Sequence, residues 1–260
     1  MAVPLVCFVT WNRAGLTTRN LKALLDTPEE FELCIVDNHS QDDTWDYIEG
    51  LTDNRIKHRH RFEVNRGVVY AINYVLAKRK KEQYFILVEN DVRIKTKDWI
   101  TQFMRAMETF PEVGLLGAVR DGFFEEKKIS PSLKTKDGVG YYPFHIVLGC
   151  CNCIRPEVFD KIGYWNEETC GADLDICARI NRFTSFKTGF IPSVLIEQTQ
   201  SIACQDCCFQ DKCTVVKKGM TCFDIYRNKY THAQFAKQLR QKEADFLKAI
   251  GEGRRPAYCA

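Results

Sequence analysis

The sequence predicts an α/β fold built on an open, mostly parallel sheet flanked by helices. Three observations carry that expectation. Short apolar runs of strand length alternate with segments whose apolar residues recur at helical spacing, the pattern of repeated β–α units. The strand-like runs are continuously apolar, as strands covered on both faces are. Polar or acidic residues follow these runs repeatedly, at the ends where an open sheet of this kind has its ligand crevice.

Leu5–Thr10 reads as a buried strand. Leu16, Leu21, Leu24 and Leu25 then mark a helix that Pro28 stops. Phe31–Val36 reads as a second buried strand, and Asp43-Thr44, ahead of Trp45 and Ile48, as a capped helix start. Ile56–Arg61 is a weakly marked third strand, and Gly67–Ala77 a helix after the Asn65-Arg66-Gly67 turn. Tyr84–Val88 is another buried strand; Trp99–Phe110 is an amphipathic helix, followed by a strand at Val113–Val119. Asp121–Tyr142 is charged, contains glycine and lacks periodicity, which suggests a flexible loop over the site. The apolar run returns at Phe144–Leu148. Pro156–Ile162 reads as a helix with proline in its first turn, and Asp173–Ile180 as another. Phe190–Pro192 and Val194–Ile196 close the sheet. From Ser201 the character changes: five cysteines fall between 204 and 222, and Ala233–Ile250 then reads as a charged helix with Phe235, Leu239, Phe246 and Ile250 on one face. Residues 1–200 are therefore expected to form the main domain, and 201–260 a Cys-rich C-terminal extension.

Composition narrows the class. At 45% hydrophobic and 27% charged, 260 residues can bury a sizeable core without disulfides. A net charge of +3 is too small to argue for nucleic acid by itself. The first apolar run is too short, and lacks the basic leader, for a secretory signal. No apolar run approaches the ~18 residues of a membrane span, so residence in the cytoplasm is the expectation. Thirteen cysteines, an odd number, read there as thiols or metal ligands rather than a disulfide framework. Cys7 and Cys34, inside strand-like runs, read as small core residues.

The chemistry-bearing residues form an ordered series: Thr10-Trp11-Asn12-Arg13, Asp37-Asn38-His39-Ser40, Asn65-Arg66-Gly67, Glu89-Asn90-Asp91, and Gly171-Ala172-Asp173-Leu174-Asp175. Together they suggest one composite site for a nucleotide-bearing substrate. A carboxylate at Asp37 can accept from an imide N–H or a ribose hydroxyl, the alternative being an Asx turn. Gly67 suits a close backbone approach and Arg66 can pair with phosphate, the alternative being a structural turn. Acidic residues at 89 and 91 suit a hard divalent cation bridging diphosphate oxygens, the alternative being an acidic loop without metal. For Asp173 the alternative is a helix-start residue, and Asp175, two positions on, reads as structural or supporting.

From about Val6 to Pro192 this series resembles the inverting nucleotide-sugar glycosyltransferases of glycosyltransferase family 2, which have the Rossmann-like GT-A fold. The resemblance implies that Thr10, Asn12 and Arg13 border the nucleoside, that Asp37 contacts base or ribose, and that Asn65, Arg66 and Gly67 lie near the base and diphosphate. Glu89-Asn90-Asp91 stands where the family has Asp-x-Asp, which assigns Asp91 to Mn2+ or Mg2+ and places Glu89 and Asn90 beside the donor. Asp173 aligns with the general base that deprotonates the acceptor hydroxyl. Gly149-Cys150-Cys151-Asn152-Cys153 coincides with a segment of glycine and small residues beside the acceptor site. Three positions depart from the pattern. Glu89 replaces an aspartate, Ala172 replaces a carboxylate, and Gln198, a weak metal ligand, stands where the family often has a histidine. The implied activity is transfer of a sugar from a nucleoside-diphosphate sugar, UDP-linked, to a hydroxyl-bearing acceptor, on a polymer or a modified nucleic-acid base. The rivals are a nucleotidyltransferase and a catalytically inactive sugar-nucleotide or nucleic-acid binding module.

Independently of the resemblance, Cys204, Cys207, Cys208, Cys213 and Cys222 are a candidate ligand set for structural Zn2+. Free thiols and an iron–sulfur cluster are the alternatives. Basic residues from Lys217 to Arg255 mark either a solvated helix face or a surface for nucleic acid or a membrane.

Overall fold

The computed structural model describes residues 3–167 and 172–198, and positions 217, 219, 241, 244, 245, 248, 249 and 251–253 of the C-terminal segment. The cysteine set at 204–222, most of the basic tail and most of the 233–250 helix expected from the sequence lie outside the described residues.

The first half is a run of β–α units: β1 (Leu5–Thr10), α1 (Ala14–Leu25), β2 (Glu32–Asp37), α2 (Thr44–Glu49), β3 (Ile56–Arg61), α3 (Val68–Leu76) and β4 (Phe85–Glu89). Strands β3, β2, β1 and β4 lie side by side in that order, all parallel. The second half mixes directions: β5 (Val92–Ile94), α4 (Trp99–Thr109), β6 (Val113–Arg120), α5 (Phe123–Glu126), β7 (Lys134–Lys136), β8 (Val139–Pro143), β9 (Cys151–Ile154), α6 (Pro156–Ile162), α7 (Ala172–Phe183) and β10 (Lys187–Gln198). The full order is β3-β2-β1-β4-β9-β6-β10-β8-β7, with β5 paired antiparallel to β10.

Alternation along each strand builds a core on both faces. Val6, Phe8, Leu33, Ile35, Ile86 and Val88 point to one side, where Leu21, Leu24, Trp99 and Phe103 of α1 and α4 cover them. Leu5, Cys7, Val9, Cys34, Val36, Phe85 and Leu87 point to the other, beneath Ile72 and Val75 of α3 and Ile176 and Ile180 of α7. Cys7, Cys34, Cys150, Cys151, Cys153 and Cys177 are buried free thiols. Burial pushes the Cys34 and Cys177 thiols up to about 12, so they are neutral packing groups at any ordinary pH.

The structure corrects three expectations and adds one strand the sequence had not marked. Asp43 makes no side-chain cap on α2. Asp42 does that work, one Oδ1 accepting from the Thr44 N–H while Oδ2 accepts from the Ala14 N–H, which ties the starts of α1 and α2 together. The 121–142 segment is not a plain loop. It holds α5 and the β7–β8 hairpin, closed at Asp137-Gly138, both with positive φ as a tight two-residue turn requires. The cysteine-rich 151–154 stretch is β9, antiparallel between β4 and β6. The two closing apolar runs are one strand, β10, with a register shift between Ile191 and Leu195 that accommodates Pro192. Among the described residues no helix is long and apolar enough to cross a membrane.

Candidate active site

Parallel strands in register bring their carboxyl ends to one edge. Thr10 pairs with Asp37, and Val9 with Glu89, so the ends of β1, β2 and β4 stand in a row. Antiparallel β9 starts at the same edge, where the Cys150 carbonyl accepts from the Glu89 N–H at 3.0 Å. Antiparallel pairing with β5 brings Gln198, the last residue of β10, beside Val92.

At the β1 end, Thr10 is buried and bonds Thr17 Oγ1 at 2.7 Å, while Asn90 Nδ2 donates to its hydroxyl at 3.2 Å. Asn12 and Arg13 follow with φ of 54° and 66°, the left-handed region that side-chain-bearing residues rarely enter. Three bonds hold that backbone. Asn12 N–H donates to Ser40 Oγ at 2.7 Å, Asn12 Oδ1 accepts from the Gln41 N–H at 2.8 Å, and Asp42 takes the Ala14 N–H. The result turns the Arg13 guanidinium toward Asp91, with Nη1 3.8 Å from Oδ2.

At the β2 end, Asp37 is fully buried and its oxygens already have partners: the Ser40 N–H and hydroxyl donate to it, and Arg61 Nε approaches to 3.3 Å. Burial raises its pKa, and the Ser40 bonds and the Arg61 charge pull it back. Asn38 accepts from the Arg66 N–H at 2.7 Å and so anchors the Asn65-Arg66-Gly67 turn. Within that turn Asn65 Oδ1 accepts from the Gly67 N–H, Gly67 adopts φ 83°, and the Arg66 guanidinium lies 4.5 Å from the Tyr70 ring centre. The turn is exposed, and Arg66 stacks on an aromatic rather than on a carboxylate.

The acidic centre lies at the β4 end, on the side of β1 away from β2. Burial raises the Glu89 carboxyl well above the usual range, the charges of Asp91 and Asp173 raise it further, and Arg13 opposes them. Asp91 is also raised by burial, with Arg13 and a hydrogen bond from Gln198 pulling it down. Gln198 therefore lies against Asp91 although 107 positions of sequence separate them. Asp173 stands at the start of α7, where burial pushes its carboxyl up to about 6 while the Gly149 N–H donates to it. Gly149 leaves no room for anything larger: a Cβ there would come 2.1 Å from Asp173 Oδ1.

Asp175 belongs to a different arrangement. It is buried, receives both the Arg179 Nε at 2.9 Å and Nη2 at 2.5 Å, and accepts from the Asn166 N–H. Arg179 continues to the Ile162 and Tyr164 carbonyls, so the pair ties α7 to the loop before it. Its role is structural.

The donor chemistry of the acidic centre fits a hard divalent cation. Among the described residues no three His, Cys, Asp or Glu side chains converge closely enough to hold an ion alone. A magnesium-like ion needs no such cage, since one or two carboxylates, water and substrate phosphates complete its shell. Sequence reasoning missed Arg61 and Ser40 as the partners of Asp37. Ser40 was visible as the third residue of an Asx-type turn. Arg61 carried no local signal, because it arrives from another strand.

A family model described as Glycosyl transferase family 2 matches residues 5–163. No curated protein matches the sequence. Several solved structures are similar. The mannosyltransferase PcManGT from Pyrobaculum calidifontis, in complex with GDP-Man and Mn2+, aligns with TM-score 0.59 at 18% identity, over 75% of this chain and 56% of that one. S. aureus TarS 1-349 aligns with TM-score 0.55 at 16% identity, over 76% and 60%. GalNAc-T7 with UDP, GalNAc and Mn2+ aligns with TM-score 0.58 at 16% identity, over 76% and 43%. The chain thus spans 60% or less of these three proteins, and at such identities the likeness establishes the fold.

Proposed function

We propose a reaction for this chain from the premise that it belongs to glycosyl transferase family 2, whose model matches more than half of its length. The reaction is inverting transfer of a sugar from a nucleoside-diphosphate sugar, UDP-linked, to an acceptor hydroxyl. The acceptor oxygen attacks the anomeric carbon, the bond from that carbon to the diphosphate oxygen breaks, and the acceptor proton passes to Asp173. A carboxyl raised to about 6 is mostly ionised at neutral pH yet more basic than an ordinary aspartate, which suits a general base. Thr10, Asn12 and Arg13 border the donor at the β1 end, and the Asn65-Arg66-Gly67 turn at the β3–α3 end. Asp37 sets the turn between β2 and α2, and base or ribose would meet its carboxylate beside the Ser40 donors and the Arg61 guanidinium.

A divalent cation, Mn2+ or Mg2+, would be held by Asp91 with Gln198 and Glu89 beside it, and when bound supplies charge neutralisation for the diphosphate leaving group. Two of the similar structures carry Mn2+ with a nucleotide or nucleotide sugar, which supports the choice of ion. The observation that carries the proposal is the convergence of Glu89, Asp91 and Asp173 from β4, the loop after it and α7, close enough that the charges of Asp91 and Asp173 both act on Glu89.

The test is incubation with UDP- and GDP-sugars and Mn2+, reading the leaving group. Release of nucleoside diphosphate that Asp91→Ala abolishes is the expected result. Pyrophosphate release from a nucleoside triphosphate and a sugar 1-phosphate in a parallel incubation would instead make the chain a nucleotidyltransferase, and no release in either incubation would make it a binding module.

A further inference from the structure

Arg13 stands where a positive charge is hardest to reconcile with a cation site. Its guanidinium is 3.8 Å from Asp91 Oδ2, too long for a hydrogen bond between those two atoms but close enough for strong attraction. Both side chains are largely withdrawn from water, at 19% and 10% exposure, so bulk solvent screens the pair poorly. The guanidinium is held there by its backbone. Asn12 and Arg13 are both left-handed, and bonds to Ser40, Gln41 and Asp42 pin the segment to the loop after β2. The neighbouring arginines are engaged elsewhere: Arg19 and Arg93 pair with Glu197, at 4.0 and 3.5 Å.

We infer that Arg13 is the site's built-in counter-charge: it neutralises Asp91 until a divalent cation takes that carboxylate, and then moves to the donor diphosphate. The inference rests on the reading of Asp91 as the cation's ligand. A dication and a guanidinium compete for the same oxygen and repel each other, so the cation alone binds weakly. A diphosphate removes the conflict. It brings negative oxygens that match the planar donor fork of arginine. Cation and diphosphate then each strengthen the other's binding by the same factor, as linkage requires. The site stays closed to free cation and accepts it with the donor. The departure at Gln198 fits this arrangement. A neutral amide that donates to Asp91 adds no charge to compete with Arg13 and none to hold the cation on its own.

The test is Mn2+ binding, followed by the electron paramagnetic resonance signal of the free ion. It is run on the whole chain as wild type, Arg13→Gln, Arg13→Ala, Arg13→Lys and Asp91→Ala, each alone and with UDP or GDP. Thermal unfolding reports whether each variant is folded. Two neutral variants are included so that loss of one fold leaves the other informative. Without nucleotide, Arg13→Gln and Arg13→Ala are expected to bind Mn2+ on the order of tenfold more tightly than wild type, the removal of one nearby like charge. Arg13→Lys keeps the charge and is expected to stay near wild type. Nucleoside diphosphate is expected to tighten Mn2+ binding more in the wild type than in the neutral variants. Asp91-dependent binding that is unchanged or weaker in the neutral variants overturns the inference and leaves the cation reading standing. Binding that Asp91→Ala does not weaken, or no Mn2+ binding under any condition, overturns the cation reading and the inference with it.

Discussion

A carboxylate that is to accept a proton has to be more basic than an ordinary aspartate without being protonated at working pH. Asp173, the base proposed above, meets this by burial, which raises it to about 6, moderated by the Gly149 N–H. The sign of the pH dependence follows. The base is available only when ionised, so transfer rate at saturating donor should rise with pH through about 6 and level off above it, and a pH–rate profile reads this directly. Asp173→Asn should lower the rate by about a hundredfold or more with donor affinity kept. The same shift is a stability statement. A folded carboxyl that binds its proton more tightly than the unfolded chain contributes stability that is full below about pH 4 and lost as pH rises through about 6. Without cation, Asp173→Asn should therefore be more stable than wild type at pH 8, by about 1–2 kcal/mol after allowance for solvent access, and nearly equal at pH 4. Denaturant titrations at the two pH values check it. Gly149→Ala should act through Asp173: the added methyl meets Oδ1 at 2.1 Å, so kcat should fall while nucleotide binding, measured by calorimetry, stays near wild type.

At the scale of elements, the start of α7 carries two aspartates with different work. Asp173 faces the site, while Asp175, two residues on, faces inward and meets Arg179 with both side chains fully buried. Removing one partner of such a pair leaves an uncompensated charge in the interior. Asp175→Ala should cost about 3–5 kcal/mol of unfolding free energy and loosen the end of α6 and the turn after it, where Arg179 holds the Ile162 and Tyr164 carbonyls. Chemical denaturation separates this from Asp173→Asn, which damages rate and not stability. The longer helices were legible in sequence because each carries its own period, and the first parallel strands because each is a continuous apolar run closed by polar residues. β9 was not: four residues, Cys-Asn-Cys-Ile, are too few to show alternation, and their place between β4 and β6 is set by long-range pairing. The β7–β8 hairpin was marked only by Asp137-Gly138, a turn signal flanked by lysines and glycine instead of an apolar pattern.

At the scale of the whole molecule, residues 201–260 stand apart in composition from the sheet domain. The sequence argument for that segment is the spacing of Cys204, Cys207 or Cys208, Cys213 and Cys222, which supplies four thiolates for a tetrahedral ion. Protein purified without a metal-affinity tag should carry about one equivalent of zinc by elemental analysis. Less than about a tenth of an equivalent of zinc and of iron, with all thirteen cysteines titrating as thiols after unfolding, would leave the segment with free thiols only.

The sequence by itself determined the order of the first four parallel strands and their helices along the chain, and the family. It also determined which acidic and amide residues close each strand, because strand ends and helix starts are local features written in a few neighbouring residues. What only the tertiary structure decided is which of those residues meet. Gln198 reaches Asp91 through the pairing of β10 with β5. Arg61 reaches Asp37 from the adjacent strand, and Gly149 is held against Asp173. Each of these contacts joins positions 24 to 107 residues apart. No local period or propensity encodes such a distance. It is set when continuous apolar runs must be covered on both faces, which leaves one arrangement of the sheet and brings the polar ends of its strands to a single edge.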